Sequence, residues 1–141
     1  MFKKIIILSS ISLLLAACAS NSNTPETRAI GNWKTVGKIH SGNIEIAYDT
    51  GSITHHGKNT RLHDRKTVHD ISKENYLGTP SYKTAIAEWE FACSQRTHRI
   101  ISARFWDNKG QLLAHQQYTL SPMKIVTNTP SEALFQAACS H

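Results

Sequence analysis

The chain has 141 residues, with 16 Lys and Arg against 10 Asp and Glu, a formal charge of +6. That length provides for one domain with a single modest core rather than several domains. The basic balance favours acidic partners such as nucleic acid, glycosaminoglycan or anionic lipid headgroups, and there is no internal repeat, heptad pattern or low-complexity segment.

The N-terminus reads in three parts. Met1-Phe2-Lys3-Lys4 is positive, Ile5 to Leu15 is apolar apart from its serines, and Leu15-Ala16-Ala17-Cys18 closes the segment. This is the layout of a secretory signal, and the apolar run falls well short of the ~20 residues that a spanning helix needs. Leu-Ala-Ala-Cys resembles the lipobox of bacterial lipoproteins, in which the thiol receives diacylglycerol. Residues 1–17 are therefore read as a cleaved signal, and Cys18 as the lipid attachment point, carrying palmitate-type chains. The alternative is an ordinary signal cut after Ala17-Cys18-Ala19. Residues 18–30 read as a polar tether and residues 31–141 as the folded domain. Several acyl chains on one residue give lasting membrane attachment. Ala19 stands where an aspartate would signal inner-membrane retention, so the resemblance implies an outer-membrane lipoprotein, on either its cell-surface or its periplasmic face. Without Lys3 and Lys4 the balance is 14 to 10, a formal +4.

Gly31 to Ile39 mixes aromatic and β-branched residues with polar ones at period two, and predicts a strand. Ser41-Gly42-Asn43 is a turn, Ile44 to Tyr48 an alternating strand, and Asp49 to Ser52 a second turn into Ile53-Thr54-His55. After Gly57-Lys58-Asn59, a strand is expected from Thr60 to Ile71, then a loop from Ser72 to Pro80. Tyr82 to Cys93 alternates strongly, with Ala85, Ala87, Trp89, Phe91 and Cys93 on one face and Glu88 and Glu90 on the solvent side. Thr97 to Trp106 repeats the pattern through Ile101, Ala103 and Phe105, Asp107 to Gly110 is a hairpin turn, and Gln111 to Leu120 returns. Thr129-Pro130-Ser131-Glu132 fits a capping box opening a helix with an apolar stripe of Leu134, Ala137 and Ala138. The fold class is α+β: one antiparallel sheet with a C-terminal helix packed on it.

No catalytic constellation is present. No serine sits in a nucleophile elbow, and no glycine-rich phosphate loop occurs. With Cys18 lipidated, Cys93 and Cys139 remain, and in an oxidising compartment an even pair favours a disulfide. The other reading is two buried free thiols. Arg61, His63, Arg65 and His69 share odd parity on one strand and would form a basic stripe. Guanidinium neighbours oppose a metal cation there, so no metal is expected, and an anionic partner or a haem propionate suits the stripe better. Trp106, opposite Phe105 and beside Arg104, is a second candidate contact. For the stripe the plain alternative is an exposed polar strand face, and for Trp106 it is a lid on the core at a sheet edge.

Taken together, the lipobox, the Tyr48-Asp49-Thr50-Gly51-Ser52-Ile53 stretch and the strand ending in Cys93 resemble the surface-adhesin protein E family. So do the Phe105-Trp106 pair, Thr119-Leu120-Ser121-Pro122, and the helix ending Ala137-Ala138-Cys139. The resemblance covers roughly Trp33 to His141. It implies about six antiparallel strands with a disulfide-linked helix, no enzymatic activity, and binding of host matrix or serum proteins such as vitronectin, laminin and plasminogen. It also implies a link to haem as a homodimer; no other cofactor and no nucleic-acid partner is expected. The family's basic pair before the cysteine-bearing strand has no counterpart here: Thr79-Pro80-Ser81-Tyr82 stands there, with Lys83 the only nearby base. That departure weighs against vitronectin. Two other readings stand beside the adhesin. One is a periplasm-facing structural or assembly lipoprotein. The other is a small disulfide-bonded inhibitor of an enzyme such as lysozyme, presenting the loop Ser72 to Ser81.

Overall fold

A computed structural model describes residues 31–140; the segments read as a signal and a tether, and Cys18 read as the lipid attachment point, lie outside the described residues. Among the described residues there are eight strands: β1 Trp33–Ile39, β2 Ile44–Asp49, β3 Thr54–His56, β4 Asn59–Val68, β5 Thr84–Ala92, β6 Thr97–Trp106, β7 Leu112–Gln117 and β8 Met123–Lys124. One helix follows, α1 Pro130–Cys139. All strand pairs are antiparallel, and the sheet runs β1-β2-β4-β5-β6-β7. The six strands expected from the sequence are this path; β3 and β8 are short additions on β4 and β6.

Local chemistry sets most boundaries. The β1–β2 turn places His40, Ser41 and Gly42 at positive φ. In the β6–β7 hairpin, Asp107 Oδ1 accepts from the N–H groups of Lys109 and Gln111 at 2.8 Å each, and Gly110 takes φ 81°. The strand expected through Ile71 ends at Val68 instead. Asp70 accepts from Ser72 N–H at 3.0 Å, and this side-chain turn draws Ile71–Lys73 into a 3-10 helix. The returning strand is likewise shorter than Gln111 to Leu120, being hydrogen-bonded only over Leu112–Gln117. One register slip changes a face. Glu88 pairs with Ser102, yet Trp89 pairs with Ile100, so Ile101 is the extra residue of a bulge. Ile100 therefore packs against the core where simple alternation assigned Ile101.

The core lies on one face of the sheet beneath α1. Ile44, Ile46 and Tyr48 from β2, Leu62 and Val68 from β4, Ala85, Ala87, Trp89 and Phe91 from β5, and Ala103 and Phe105 from β6 meet Leu134, Phe135 and Ala138 of the helix. The helix starts as its sequence dictates: Thr129 Oγ1 accepts from Glu132 N–H at 3.4 Å, and Pro130 occupies the first turn. Glu132 reaches back one residue further than a standard capping box, accepting from Asn128 N–H at 2.8 Å. The helix end is fastened by the Cys93–Cys139 disulfide, with Cα atoms 5.6 Å apart. Arg96, at the β5–β6 turn, stacks over Phe135 at 4.9 Å and meets Glu132 at 3.6 Å.

His98 is buried in this core, edge-on to Trp89 at 5.2 Å and Phe91 at 6.2 Å, and its Nδ1 has no partner. Burial lowers its pKa, because the charged imidazolium is poorly solvated there. The native state thus holds His98 neutral while the unfolded chain protonates near the ordinary value of about 6.5. Between that value and the lower native one the unfolded state binds more protons, so stability falls on acidification and levels off below the native value. Chemical denaturation at a series of pH values is expected to show this loss beginning near pH ~6.5. His98→Phe is expected to flatten that segment of the profile; an unchanged profile would assign the slope to other groups.

Candidate binding surface

Side chains alternate along β4, β5 and β6, so every residue flanking the core sends its neighbour to the opposite face. No helix covers that second face among the described residues. Cross-strand register arranges it in rows. One row is Ala47, Arg65, Ile86, Arg104 and His115; the next holds His63, Glu88, Ser102 and Gln117; the third holds Arg61, Glu90 and Arg99. Thr67, Thr84 and Trp106 form the row on the other side.

Of the residues singled out from the sequence, Arg61, His63, Arg65, Arg104 and Trp106 share this face, and they are not equivalent. Arg61 is committed within the protein. Its Nε donates to Glu90 Oε2 at 2.9 Å and its Nη1 to Glu88 Oε1 at 3.2 Å, contacts that raise its pKa, the hydrogen bond to Glu90 most of all. Arg65 lies with its guanidinium 4.5 Å above the Trp33 ring, and its Nε is buried without a partner. Burial lowers its pKa. Ala47, buried between β1 and β4, is small enough to leave room for that stack. Arg104 and His63 are exposed, and among the described residues neither has a carboxylate partner. Trp106, read as an exposed contact or as a lid on the core, is only 5 % exposed and borders the cavity on this face. His69 lies elsewhere: it follows the end of β4 and borders a separate cavity of about 440 Å³ with His40 and Glu74. There His40 Nδ1 and Glu74 are 2.6 Å apart, and Asn43 donates to Glu74 at 2.7 Å.

Glu90 differs from the sequence expectation. Placed on the solvent side by alternation, it is 6 % exposed, because Arg61 and Arg99 close over it; Arg99 donates to Oε1 at 2.9 and 2.6 Å. Burial alone would raise its pKa, but the hydrogen bonds from Arg61 and Arg99 outweigh that and hold it below the usual carboxylate range.

A cavity of about 140 Å³ opens on the same face, bordered by Trp33, Asp49, His63, Ile86, Glu88, Ser102, Arg104 and Trp106. Sequence reasoning missed Trp33, Asp49 and Ser102. Their parity was legible, but bringing Trp33 beside Arg104 requires the strand order across β1, β2, β4, β5 and β6, which no local pattern carries. Gly31 matters here for close approach: a Cβ at this position would fall 2.8 Å from Trp33 Nε1 and displace the ring. The loop at Ser72 to Ser81 is tied down by Glu74 and by Tyr76, whose hydroxyl donates to Tyr82 O at 2.9 Å, and leaves Leu77 82 % exposed. Among the described residues, no three His, Cys, Asp or Glu side chains are grouped to hold a metal ion, and no helix is long and apolar enough to cross a membrane.

Neither a curated protein nor a solved structure matches the chain. A family model described as surface-adhesin protein E matches residues 33–140, taking in every strand, both disulfide cysteines and the helix, and the chain belongs to that family.

Proposed function

We propose that this protein is a non-catalytic binding module, held at the outer membrane by lipid on Cys18 and displayed to host matrix or serum proteins. Membership of a surface-adhesin family supports a cell-surface protein that binds host surface molecules. The observation that carries the reading furthest is the uncovered sheet face, where Arg65, Arg104 and His63 stand beside two tryptophans and neither arginine forms a salt bridge among the described residues. Arginine and tryptophan concentrate binding energy when a partner excludes water from them. The apolar cluster and α1 lie on the other side of the sheet, so binding here leaves them undisturbed. A module facing the periplasm would use the same surface for an envelope partner.

Protease shaving of intact cells, followed by blotting, separates these sites of display. Cleavage from whole cells is expected, and protection until the outer membrane is permeabilised would overturn the adhesin reading. Binding of the mature chain to immobilised matrix proteins is then expected to weaken with added salt, and by about tenfold or more in the Arg65→Glu, Arg104→Glu variant. Unchanged binding in that variant would remove this face from the account.

A further inference from the structure

The cavity beside Arg104 has a composition that selects among ligands. Its volume of about 140 Å³ falls below the ~300–1,000 Å³ of pockets that hold drug-sized ligands, and suits a ligand whose buried part is about one sugar ring. A site for a purely anionic ligand such as phosphate would be lined by cations and neutral donors, yet Asp49 and Glu88 also border this space. Both carboxylates retain accepting capacity. Asp49 uses Oδ1 for the N–H groups of Asn32 and Gly51, at 3.0 and 2.9 Å, and Glu88 uses Oε1 for Arg61 at 3.2 Å. Asp49 Oδ2 and Glu88 Oε2 accept no hydrogen bond among the described residues, so each can take a hydroxyl proton. A cationic ligand would face Arg104 and the Arg65–Trp33 stack. An apolar ligand would strip water from all of these groups without replacing their hydrogen bonds.

We infer that this cavity binds the acidic terminal sugar of a host glycan, a carboxylated pyranose. Arg104 pairs with the sugar carboxylate, Glu88, Asp49 and Ser102 meet its hydroxyls, and the indoles of Trp33 and Trp106 with Ile86 supply the apolar walls. Arg65 stacks on the Trp33 ring and adds positive field. The inference deepens the host-binding reading above and rests on it for the source of the sugar; the chemistry of the cavity is independent of it.

The test is a tryptophan-fluorescence titration of the mature chain with N-acetylneuraminic acid, glucuronic acid, glucose, free glutamate and inorganic sulfate. A saturable change is expected with at least one of the two acidic sugars, and which one responds tells a sialic acid from a uronate. Arg104→Ala, at an exposed position outside the core, is expected to weaken that binding about tenfold or more, the loss of a charge-assisted contact. Glu88→Gln is expected to weaken it as well, since an amide leaves one accepting oxygen where the carboxylate offers two, one of them engaged by Arg61. No change with either acidic sugar up to ~50 mM, a range that fills a site with a Kd of several millimolar, would overturn the inference. So would sulfate or glutamate binding as tightly as the sugars, or tighter binding in Glu88→Gln, either of which marks a plain anion site. Sialidase or uronidase treatment of immobilised matrix separates the two readings. Matrix binding indifferent to such treatment and to Arg104→Ala overturns the sugar site and keeps the adhesin. Sugar binding without any matrix binding overturns the host partner alone.

Discussion

Replacing both Cys93 and Cys139 by alanine is expected to cost about 4 kcal/mol of stability. The bridge joins residues 46 apart, and closing a loop of that length removes a large part of the unfolded chain's freedom. For a domain of this size the loss corresponds to a fall on the order of 20 °C in the melting midpoint. The bridge also holds the last turn of α1 to the end of β5, so its removal frees the helix end before the sheet melts. Both cysteines are changed together, since one free thiol would invite mispairing. Circular dichroism on heating the mature double variant and the wild type checks the expectation. Midpoints within about 3 °C of each other would mean that the packing of Leu134, Phe135 and Ala138 holds the helix alone.

Phe91→Ala is expected to be as severe, about 4 kcal/mol. Phe91 is fully buried on the central strand β5, with Phe135 of the helix at 6.2 Å and His98 of β6 at the same distance. The truncation removes a ring that sheet and helix share, and a backbone hydrogen-bonded on both sides cannot collapse into the gap. Phe91→Leu, which keeps most of the volume, is expected to cost about 1.5 kcal/mol or less. Urea denaturation of the two variants gives the comparison. Equal losses would show that ring shape rather than volume matters at this position. Because Phe91 lies two residues from Cys93, the disulfide and cavity effects should not add simply.

The sequence carried the elements with strong local signals. Alternation along Ala85, Ala87, Trp89 and Phe91, the Asp107–Gly110 turn, the Thr129 cap and the cysteine pairing all appear in the structure as read. The misreadings share one cause, which is that pairing partners overrule local pattern. Glu90 looks solvent-facing along its own strand and becomes buried only because Arg61 and Arg99 arrive from β4 and β6. Ile101 loses its place in the core to Ile100 through a slip visible only between two strands. Trp106 is covered by the tertiary arrangement of its face. The basic stripe was legible over Arg61, His63 and Arg65, whereas His69 falls beyond the end of the strand that was expected to carry it. Trp33 and Asp49 joined the cavity from β1 and β2, a meeting that spacing along the chain does not announce.

The alternation of faces along β4, β5 and β6 bears on how such a protein can diversify. Odd positions of β4 serve the open face and even positions the core, so a substitution at Arg65 and one at Leu62 fall under separate constraints. The open-face half of the strand can drift while the packed half stays fixed. A single inserted or deleted residue within a strand has no such freedom, for it exchanges the two halves and sends Leu62-type residues outward. The bulge opposite Glu88 and Trp89 is a place where an extra residue has already been absorbed. Lineages of this fold should therefore differ along these strands by replacement, with changes of length gathered in the turns.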